Sequence, residues 1–275
     1  MTACDTRIGV IGLGQMGGAL TRSMIAQQVC PADQIRAYDV DAQRLNAFCA
    51  AQHIGAASTL SELVAASNVL LVAVKPHVVR SVLTEIASVP LPSRPPLVIS
   101  IAAGVSLSAL ESVLPEGVPV IRVMPNLPAS IGYGASAYAM GVAATNEHAA
   151  LVEEMLSAGG LVVRVEERLM NAVTALSGSG PAYVLLLVEA LADAGVREGL
   201  PRQTALQLAT HTVLGAAQLA LSSDDHIALW KERVCTPAGT TIEALYELEA
   251  AGLHGLIMTA VHAARKRADA IERGE

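Results

Sequence analysis

A short polar stretch with the sequence CTPAGTTIEALYELE (residues 235–249) stands between two apolar helical patterns. Thr240 fits the N-cap position of the second helix, and Glu243 completes a predicted capping box, so that the helix begins near Thr241. A helix N-terminus beside a glycine presents N–H groups and a partial positive charge, which suits it to bind a small anion. A threonine hydroxyl can also orient a bound group without being a strong acid. The alternative interpretation is a helix cap with no ligand.

A glycine motif near the N-terminus predicts a turn that binds a dinucleotide. The motif, GLGQMG, follows a buried strand and opens a helix, and a second strand comes about 20 residues later. Gly12 permits the tight turn, Gly14 lets the backbone approach a pyrophosphate, and Gly17 allows the helix to pack closely on the strand. The helix N-terminus supplies N–H groups to the phosphates. The predicted cofactor-binding residues of this turn are Gly12, Leu13, Gly14, Gln15, Met16 and Gly17.

An acidic residue, Asp39, ends the second predicted strand. At this place in NAD-binding folds a carboxylate bonds the ribose hydroxyls, and it repels the additional phosphate of NADP. Arg36 and Arg44 lie near it in the sequence and can offset part of that repulsion. The other interpretation is that Asp39 caps the helix that follows. The sequence leaves this role open, and with it the choice between NADPH and NADH.

Two more turns follow predicted strands, at the edge where ligands meet an open α/β sheet. We expect these turns to line the nicotinamide side of a bound cofactor. Lys75 is a candidate cation, but the proline beside it favours a turn that shapes the backbone over direct proton transfer. The predicted residues are Ala73, Val74, Lys75, Pro76, Ala102 and Ala103.

The elements that position these residues divide the chain into two parts. Continuous Val, Ile and Leu runs alternate with helical patterns in the first part, which predicts a parallel sheet covered by helices on both faces. Beyond it the strand patterns stop and only helices follow. We therefore predict an α/β fold with a Rossmann-type dinucleotide-binding domain at residues 1–165 and an all-helical domain at residues 166–275. The predicted strands are residues 7–14, 34–39, 69–76, 96–104, 118–126, 134–141 and 161–167.

Several of the predicted helices are apolar almost all round, so protein must surround them. The helical part is small for so much apolar surface, and burial against a second copy of the chain is the expected solution. Residues 203–223 carry no formal charge and form the only membrane candidate in the sequence. Gln207, His211 and Gln218 make this segment too polar for a lipid-facing helix. We expect it to lie between protein surfaces, with His211 buried and uncharged.

The composition excludes several classes of protein. A hydrophobic content of 52% with 16% charged residues indicates a globular chain with a large core. The net charge of -7 argues against a nucleic-acid surface. The N-terminus lacks the pattern of a signal peptide, so a cytoplasmic protein without a membrane partner is expected. The cysteines lack metal-type spacing and are predicted to be free thiols that bind no metal: Cys4, Cys30, Cys49 and Cys235.

Five motifs stand in the order seen in pyrroline-5-carboxylate reductases: AVKPH (73–77), SIAAGVS (100–106), RVMPNLPA (122–129), LSGSGPAYV (176–184) and TPAGTTIEAL (236–245). The chain resembles this family over nearly its whole length. The resemblance implies the last step of proline biosynthesis, in which 1-pyrroline-5-carboxylate is reduced to L-proline by NADPH or NADH. It also implies that the helical domain forms an interlocked homodimer, which members of the family commonly assemble into decamers.

The resemblance assigns roles in the polar stretch. Thr236, Gly239 and Thr240 are expected to hold the substrate carboxylate, with Thr236 where the family usually has serine. Thr241 lies where the family's threonine bonds the ring nitrogen, and it is the predicted catalytic residue. The stretch Ser177–Pro181 is expected to face the nicotinamide and the substrate. A tight turn between domains is the plainer interpretation of that stretch.

Three positions depart from the family's usual pattern. Leu127 stands where the family usually has threonine, and Ala238 stands where it usually has the first of two glycines. Leu60 stands where many members carry an asparagine near the adenosine. These departures bear on affinity and cofactor preference more than on the reaction.

Two other functions compete with this interpretation. The β-hydroxyacid dehydrogenases share the glycine motif and a helical second domain, but they need a catalytic lysine on a helix after a glycine-rich stretch. The corresponding region here, MNAVTALSGSGPAYVLL, contains no lysine. A non-catalytic, nucleotide-sensing oligomer would need no site for a substrate carboxylate, so the threonines between Thr236 and Thr241 argue against it.

Overall fold

A computed structural model describes residues 2–275 of the chain, and its first compact unit is built on an eight-stranded sheet. The strands are β1 (Ile8–Ile11), β2 (Ile35–Tyr38), β3 (Gly55–Ala56), β4 (Val69–Val72), β5 (Leu97–Ser100), β6 (Val120–Met124), β7 (Gly134–Met140) and β8 (Gly160–Arg164). They lie in the order β3-β2-β1-β4-β5-β6-β7-β8. All neighbouring strands are parallel except β6 and β7, which are antiparallel.

The seven predicted strands are present, and the structure adds β3, whose two residues contain no apolar run. The expectation of a wholly parallel sheet is wrong at β7. Only residues 125–133 join β6 to β7, whereas a parallel crossover needs about a dozen residues or more. A 3-10 turn at Leu127–Ile131 leads into the reversed strand.

Helices cover both faces of the sheet, as predicted. The side chains of β1 alternate between two buried clusters: Val10 packs with Leu20 and Ile35 on one face, and Ile11 packs with Leu63 and Leu83 on the other. Burial of both faces explains why the central strands read as continuous apolar runs. These helices are α1 (Gln15–Ala26), α2 (Ala42–Gln52), α3 (Leu60–Ala66), α4 (Pro76–Ser88), α5 (Leu107–Glu111) and α6 (Asn146–Ser157).

Beyond β8, the first compact unit continues to Ser179 and also takes in Ala264–Glu275. The predicted division at residues 165 and 166 follows the end of the last strand, whereas this packing boundary lies later. The elements before Ser179 are a 3-10 turn (Glu167–Leu169), helix α7 (Met170–Val173) and a π-helical turn (Thr174–Gly178), which we call the π-turn.

A buried arginine on β6 explains the later boundary. Arg122 is 3% exposed, and its guanidinium donates to the carboxylates of Glu167 at 3.1 Å and Glu272 at 2.6 Å. It also donates to the side-chain oxygen of Asn171, whose amide donates in turn to Asp269 at 2.9 Å. We call these five residues the Arg122 cluster. A buried charge requires such partners, so the segments that carry them are held against the sheet.

The second compact unit, Gly180–Ala263, is helical, as predicted. A small cluster of Val188, Ala192 and Ala209 packs α8 against α9, and many other leucines are exposed on the single chain. His211 is also exposed on the single chain, and its burial between protein surfaces stays a prediction. The helices are α8 (Gly180–Arg197), α9 (Arg202–Leu221), α10 (Ile227–Val234), α11 (Thr240–Ala250) and α12 (Leu253–Glu272), the last of which continues into the first unit.

One helical stretch among the described residues, Glu167–Arg197, is long and apolar enough to cross a membrane by length and composition. The prediction that residues 203–223 are the only candidate is therefore wrong. The four cysteines are free thiols, as predicted. Burial, followed by the nearby Cys4, Asp33 and Glu154, raises the pKa of Cys30 to about 11.

Candidate functional site

The glycine turn between β1 and α1 has the geometry that the motif predicts. Gly12 has a φ of 95°, and a Cβ there would lie 2.8 Å from the carbonyl oxygen of Ala73. A Cβ on Gly17 would overlap the carbonyl oxygen of Gly12. A Cβ on Gly14 would meet no atom within 4 Å. Two glycines are therefore needed for the turn itself, and the third leaves an open approach to the backbone.

The N-terminus of α1 opens at this turn. Gly14 is the N-cap, and no side-chain hydrogen bond caps the helix in the described chain. The N–H groups of Gln15 and Met16 in the first turn thus suit an anion such as a pyrophosphate. Leu13 differs from the other residues of the motif because its side chain is buried in the core and its N–H donates to Asp39 at 2.8 Å.

Asp39 organises the turn instead of capping the next helix. Its carboxylate accepts from the N–H of Leu13 at 2.8 Å and from the N–H of Asp41 at 2.9 Å, and Arg44 lies 3.3 Å from it. The N-cap of α2 is Asp41, which accepts from the N–H of Arg44. The capping interpretation of Asp39 is therefore wrong. The side chain is 6% exposed and stands where a ribose-binding acid is placed in this fold.

The turns after β4 and β5 lie on the same edge of the sheet as the glycine turn, because the carboxyl ends of parallel strands share one edge. Ala73 donates its N–H to Ile11, which ties the end of β4 to the end of β1. Lys75 is the N-cap residue of α4 with an exposed side chain, and Pro76 is the first helical residue. Val74 and Ala103 are half-buried, and Ala102 is buried. The strand order reverses between β1 and β4, where dinucleotides bind in this class of fold.

The threonine turn, residues 236–241, differs from the prediction by one residue. Helix α11 begins at Thr240 with Gly239 as its N-cap, so the predicted capping box of Thr240 and Glu243 is wrong. A Cβ on Gly239 would overlap the hydroxyl oxygen of Thr236, and the N–H of Gly239 donates to the carbonyl of Thr236 at 3.0 Å. No side chain caps α11 in the described residues, so its first N–H groups suit an external anion.

Ala238, one of the departures from the family pattern, has a φ of 52°. This left-handed conformation costs an alanine about 1–2 kcal/mol, which glycine avoids while losing about 0.5–1 kcal/mol of chain entropy. We expect Ala238→Gly to raise the free energy of unfolding by about 0.5–1 kcal/mol in urea titrations at fixed protein concentration. Ala244→Gly within α11 is the matched control, which should lower it by about 1 kcal/mol. Destabilisation by both substitutions would contradict the strain at position 238.

The structure places the other two departures differently. Leu60 is 1% exposed at the start of α3, so its side chain belongs to the core. Leu127 is 54% exposed in the turn between β6 and β7.

Two residues that connect these elements could not be found from single motifs. Asn126 and Arg122 both lie within RVMPNLPA, yet neither was predicted to have a role. The side chain of Asn126 forms hydrogen bonds with Ser177 and Ala135. The side chain of Arg122 contacts other members of the Arg122 cluster. The signal in the sequence is one polar residue in the middle of a buried apolar strand and another two residues after it, because such side chains need partners.

The strand order and the glycine turn define a Rossmann-type dinucleotide-binding oxidoreductase, and a family model of coenzyme F420-dependent NADP oxidoreductases matches residues 7–104. The family model of pyrroline-5-carboxylate reductase dimerisation matches residues 167–271. The chain belongs to the pyrroline-5-carboxylate reductase family. The predicted function, that of an NAD(P)H-dependent reductase, is confirmed.

Similar proteins and solved structures support the assignment of the chain to this family. The chain is 43% identical over 263 residues to the pyrroline-5-carboxylate reductase of Methanosarcina acetivorans, covering 96% of this chain and 97% of the relative. It is 40% identical over 262 residues to that of Arabidopsis thaliana, covering 95% and 94%. The Plasmodium falciparum pyrroline carboxylate reductase structure with NADP bound has a TM-score of 0.87 at 30% identity, covering 98% and 99%. The Coxiella burnetii enzyme structure has a TM-score of 0.88 at 32% identity, covering 96% and 97%.

Proposed function

We propose that, when this chain reduces 1-pyrroline-5-carboxylate to L-proline, the threonine turn holds the substrate and the carboxyl edge of the sheet holds NADH or NADPH. The observation that carries the proposal is the N-terminus of α11, where Gly239 is the cap and no side chain takes the first N–H groups of the described helix. Thr236, Gly239 and Thr240 would bond the substrate carboxylate there. Thr241, which is half-buried, would bond the ring nitrogen.

The chemistry asks the protein for orientation more than for proton transfer. A bound nicotinamide supplies the hydride, which forms the new C–H bond at the imine carbon. A protonated iminium accepts hydride readily, and its π electrons become the lone pair of the amine nitrogen. The hydroxyl of Thr241 would fix the direction of that nitrogen, and the N-terminus of α11 would fix the carboxylate. Holding the ring at two points is sufficient to present one carbon to the hydride.

The residues of the glycine turn suit a dinucleotide. The backbone at Gly14 is open to a ligand, and the N–H groups of Gln15 and Met16 begin α1. We propose that the pyrophosphate binds there and that the nicotinamide lies along the turns after β4 and β5. No metal takes part in this proposal.

We also propose that NADH is preferred to NADPH. The carboxylate of Asp39 has two backbone donors, from Leu13 and Asp41, and a carboxylate offers about four lone-pair positions, so it can still accept from ribose hydroxyls. A 2′-phosphate at the same place would meet its negative charge. Arg44 is shared between the carboxylates of Asp39 and Asp41, so its charge is already largely offset.

Asp39→Ser tests this preference. Removal of one negative charge near the 2′ position should raise the ratio of kcat/KM with NADPH to kcat/KM with NADH by about 10- to 100-fold. Both values should also fall, because serine replaces the carboxylate that holds the N–H of Leu13. Asp41→Ser is the matched control: it removes the same charge three residues before Arg44, keeps a good N-cap and leaves Leu13 untouched. An unchanged ratio in Asp39→Ser, or an equal change in Asp41→Ser, would contradict the proposal.

The helical part is proposed to form a homodimer that covers the exposed leucines of α8, α9 and α12, and dimers are proposed to assemble further as decamers. The match of the dimerisation family model from residue 167 supports this role, and it also supports a functional division near residues 165 and 166. Light scattering on the purified protein gives the mass of the assembly. We propose a cytoplasmic enzyme with neither a membrane nor a nucleic acid as partner, in which the apolar stretch Glu167–Arg197 is covered by protein.

One assay tests the activity itself. Purified protein is mixed with 1-pyrroline-5-carboxylate and either NADH or NADPH. Two quantities are followed: the absorbance of the reduced cofactor, which falls on oxidation, and the amount of proline formed. Turnover to proline is expected with both cofactors, faster with NADH. Absence of turnover with either cofactor would overturn the proposal, and oxidation of a 3-hydroxy acid would favour the β-hydroxyacid dehydrogenase alternative.

A further inference from the structure

Asn126 joins three separate segments of the first compact unit. It follows β6 by two residues and is 8% exposed. Its side-chain amide donates to the carbonyl of Ser177 at 3.0 Å, and its side-chain oxygen accepts from the N–H of Ala135 at 2.9 Å. Both ends of the amide are therefore used, and only an asparagine-shaped group offers a donor and an acceptor in this arrangement.

The carbonyl of Ser177 needs this donor because of the sequence that follows it. In an α-helix the carbonyl of residue 177 accepts from the N–H of residue 181, and residue 181 is a proline, which has no N–H. Ser177 is half-buried, and a carbonyl shielded from water without a donor is costly. The amide of Asn126 takes the place of the missing N–H, so the helix break and the asparagine belong together.

The π-turn is fixed by further contacts at the same place. The N–H of Ser179 donates to the carbonyl of Thr174 at 2.9 Å, across five residues. A Cβ on Gly178 would lie 2.6 Å from the terminal methyl of Met124, the last residue of β6. The π-turn thus lies directly against the carboxyl end of β6. π-helical turns inside α-helices are frequent at functional sites.

The carboxyl edge of the sheet shows what this position is close to. Four features follow one another along that edge: the glycine turn, the turn after β4, the turn after β5 and Asn126 after β6. Neighbouring strands are about 4.8 Å apart. The adenosine half of a dinucleotide extends toward β2, where Asp39 lies, so the nicotinamide half extends over β4 and β5. The end of β6 is the next position along the edge. The nicotinamide ring, and a substrate packed against it, would therefore lie near the end of β6.

We propose that Asn126 is a positioning residue for the reduction. Its hydrogen bond to the carbonyl of Ser177 fixes the position of the π-turn, which borders the nicotinamide end of the site. This inference rests on the proposed function. Asn126 itself touches neither the substrate nor the cofactor. Its effect is to fix the backbone of Ser177 to Ser179, and so the distance at which the substrate ring meets the nicotinamide.

The experiment compares Asn126→Asp with the unmodified protein. Aspartate has the same shape and keeps the acceptor for Ala135, but an ionised carboxylate faces the carbonyl of Ser177 with an acceptor instead of a donor. We expect kcat for 1-pyrroline-5-carboxylate to fall by about 10- to 100-fold. The dissociation constant for NADH, measured by fluorescence, should change by less than about threefold, because the glycine turn is untouched. Asn68→Asp, the same substitution at the amino end of β4, is the matched control and should keep the original kcat.

A second substitution tests the route of the effect. Pro181→Ala restores an N–H at the position that an α-helix uses to bond the carbonyl of Ser177. Added to Asn126→Asp, it should recover at least about a third of the lost kcat on a logarithmic scale. If Asn126→Asp does not fold by circular dichroism, Asn126→Ser removes the donor to the carbonyl of Ser177 without placing a charge there. It should lower kcat in the same way, with the NADH dissociation constant kept.

The outcomes separate this inference from the proposed function. Absence of turnover by the unmodified protein would overturn the function. Turnover by the unmodified protein with an unchanged kcat in Asn126→Asp, or in Asn126→Ser when that variant is the one that folds, would overturn the role of Asn126 alone. A parallel loss of NADH binding, or no recovery with Pro181→Ala, would also overturn that role, because the effect would then not pass through the carbonyl of Ser177.

Discussion

Replacement of Thr241 by alanine is expected to lower kcat/KM for 1-pyrroline-5-carboxylate by about 5- to 150-fold. This range corresponds to the loss of one directional hydrogen bond to a charged or buried partner, about 1–3 kcal/mol. The dissociation constant for NADH should stay nearly unchanged, because the cofactor is proposed to bind at Gly12 to Gly17. Steady-state kinetics with fluorescence titration of the cofactor gives both values.

Two further substitutions at the same position sharpen the result. Thr241→Ser keeps the hydroxyl and should retain much of the activity, whereas Thr241→Val keeps the shape and should behave like alanine. Full efficiency in the valine and alanine variants, with a native circular dichroism spectrum, would show that Thr241 serves only as a helix residue. Water would then be the partner of the substrate nitrogen.

Replacement of Gly17 by alanine is expected to raise the NADH dissociation constant by about 10- to 100-fold. The added Cβ would overlap the carbonyl oxygen of Gly12 and lie 2.8 Å from the Cβ of Ala73, and both neighbours are held by the backbone. Overpacking of this kind costs about 1–3 kcal/mol and must move the turn that holds the pyrophosphate.

The adjacent glycine provides the control. A Cβ on Gly18 would lie 3.1 Å from Phe48 and 3.3 Å from Arg22, both at the far ends of side chains that can move. Gly18→Ala should therefore bind NADH within about threefold of the original constant. Equal loss in both variants would mean that α1 tolerates no added methyl group anywhere in its first turn, and that the Gly17 contact has no special role.

The sequence predicts those parts of the fold that local pattern determines. Buried strands such as β1 and β4 consist of continuous apolar residues, and the turn at Gly12 has its own motif, so both were predictable from a few neighbouring residues. The threonine turn was predicted one residue too late, because threonine is the usual cap and the close approach of Gly239 to Thr236 is invisible in the sequence.

The parts that were missed depend on features outside the pattern of any one element. The antiparallel pairing of β7 follows from a short connection and not from the pattern of β7 itself. Asn126 and Ser177 are separated by 51 positions, and the role of Asp39 in holding Leu13 spans 26. Periodicity reports which face of an element is buried, but it does not report which distant group a polar side chain meets.

The Arg122 cluster has a consequence for how the chain folds during synthesis. Arg122 and Glu272 are 150 positions apart, and ribosomes add about 5–20 residues per second, so about 8–30 s separate the emergence of the cation from that of this carboxylate. Once β8 ends at Arg164 the whole sheet is translated, but its buried guanidinium still lacks the carboxylate of Glu272. The nucleotide-binding unit therefore cannot reach its final packing as an early, independent product of translation. Its final packing requires the last helix, so the sheet is completed only after the dimerising region has been synthesised.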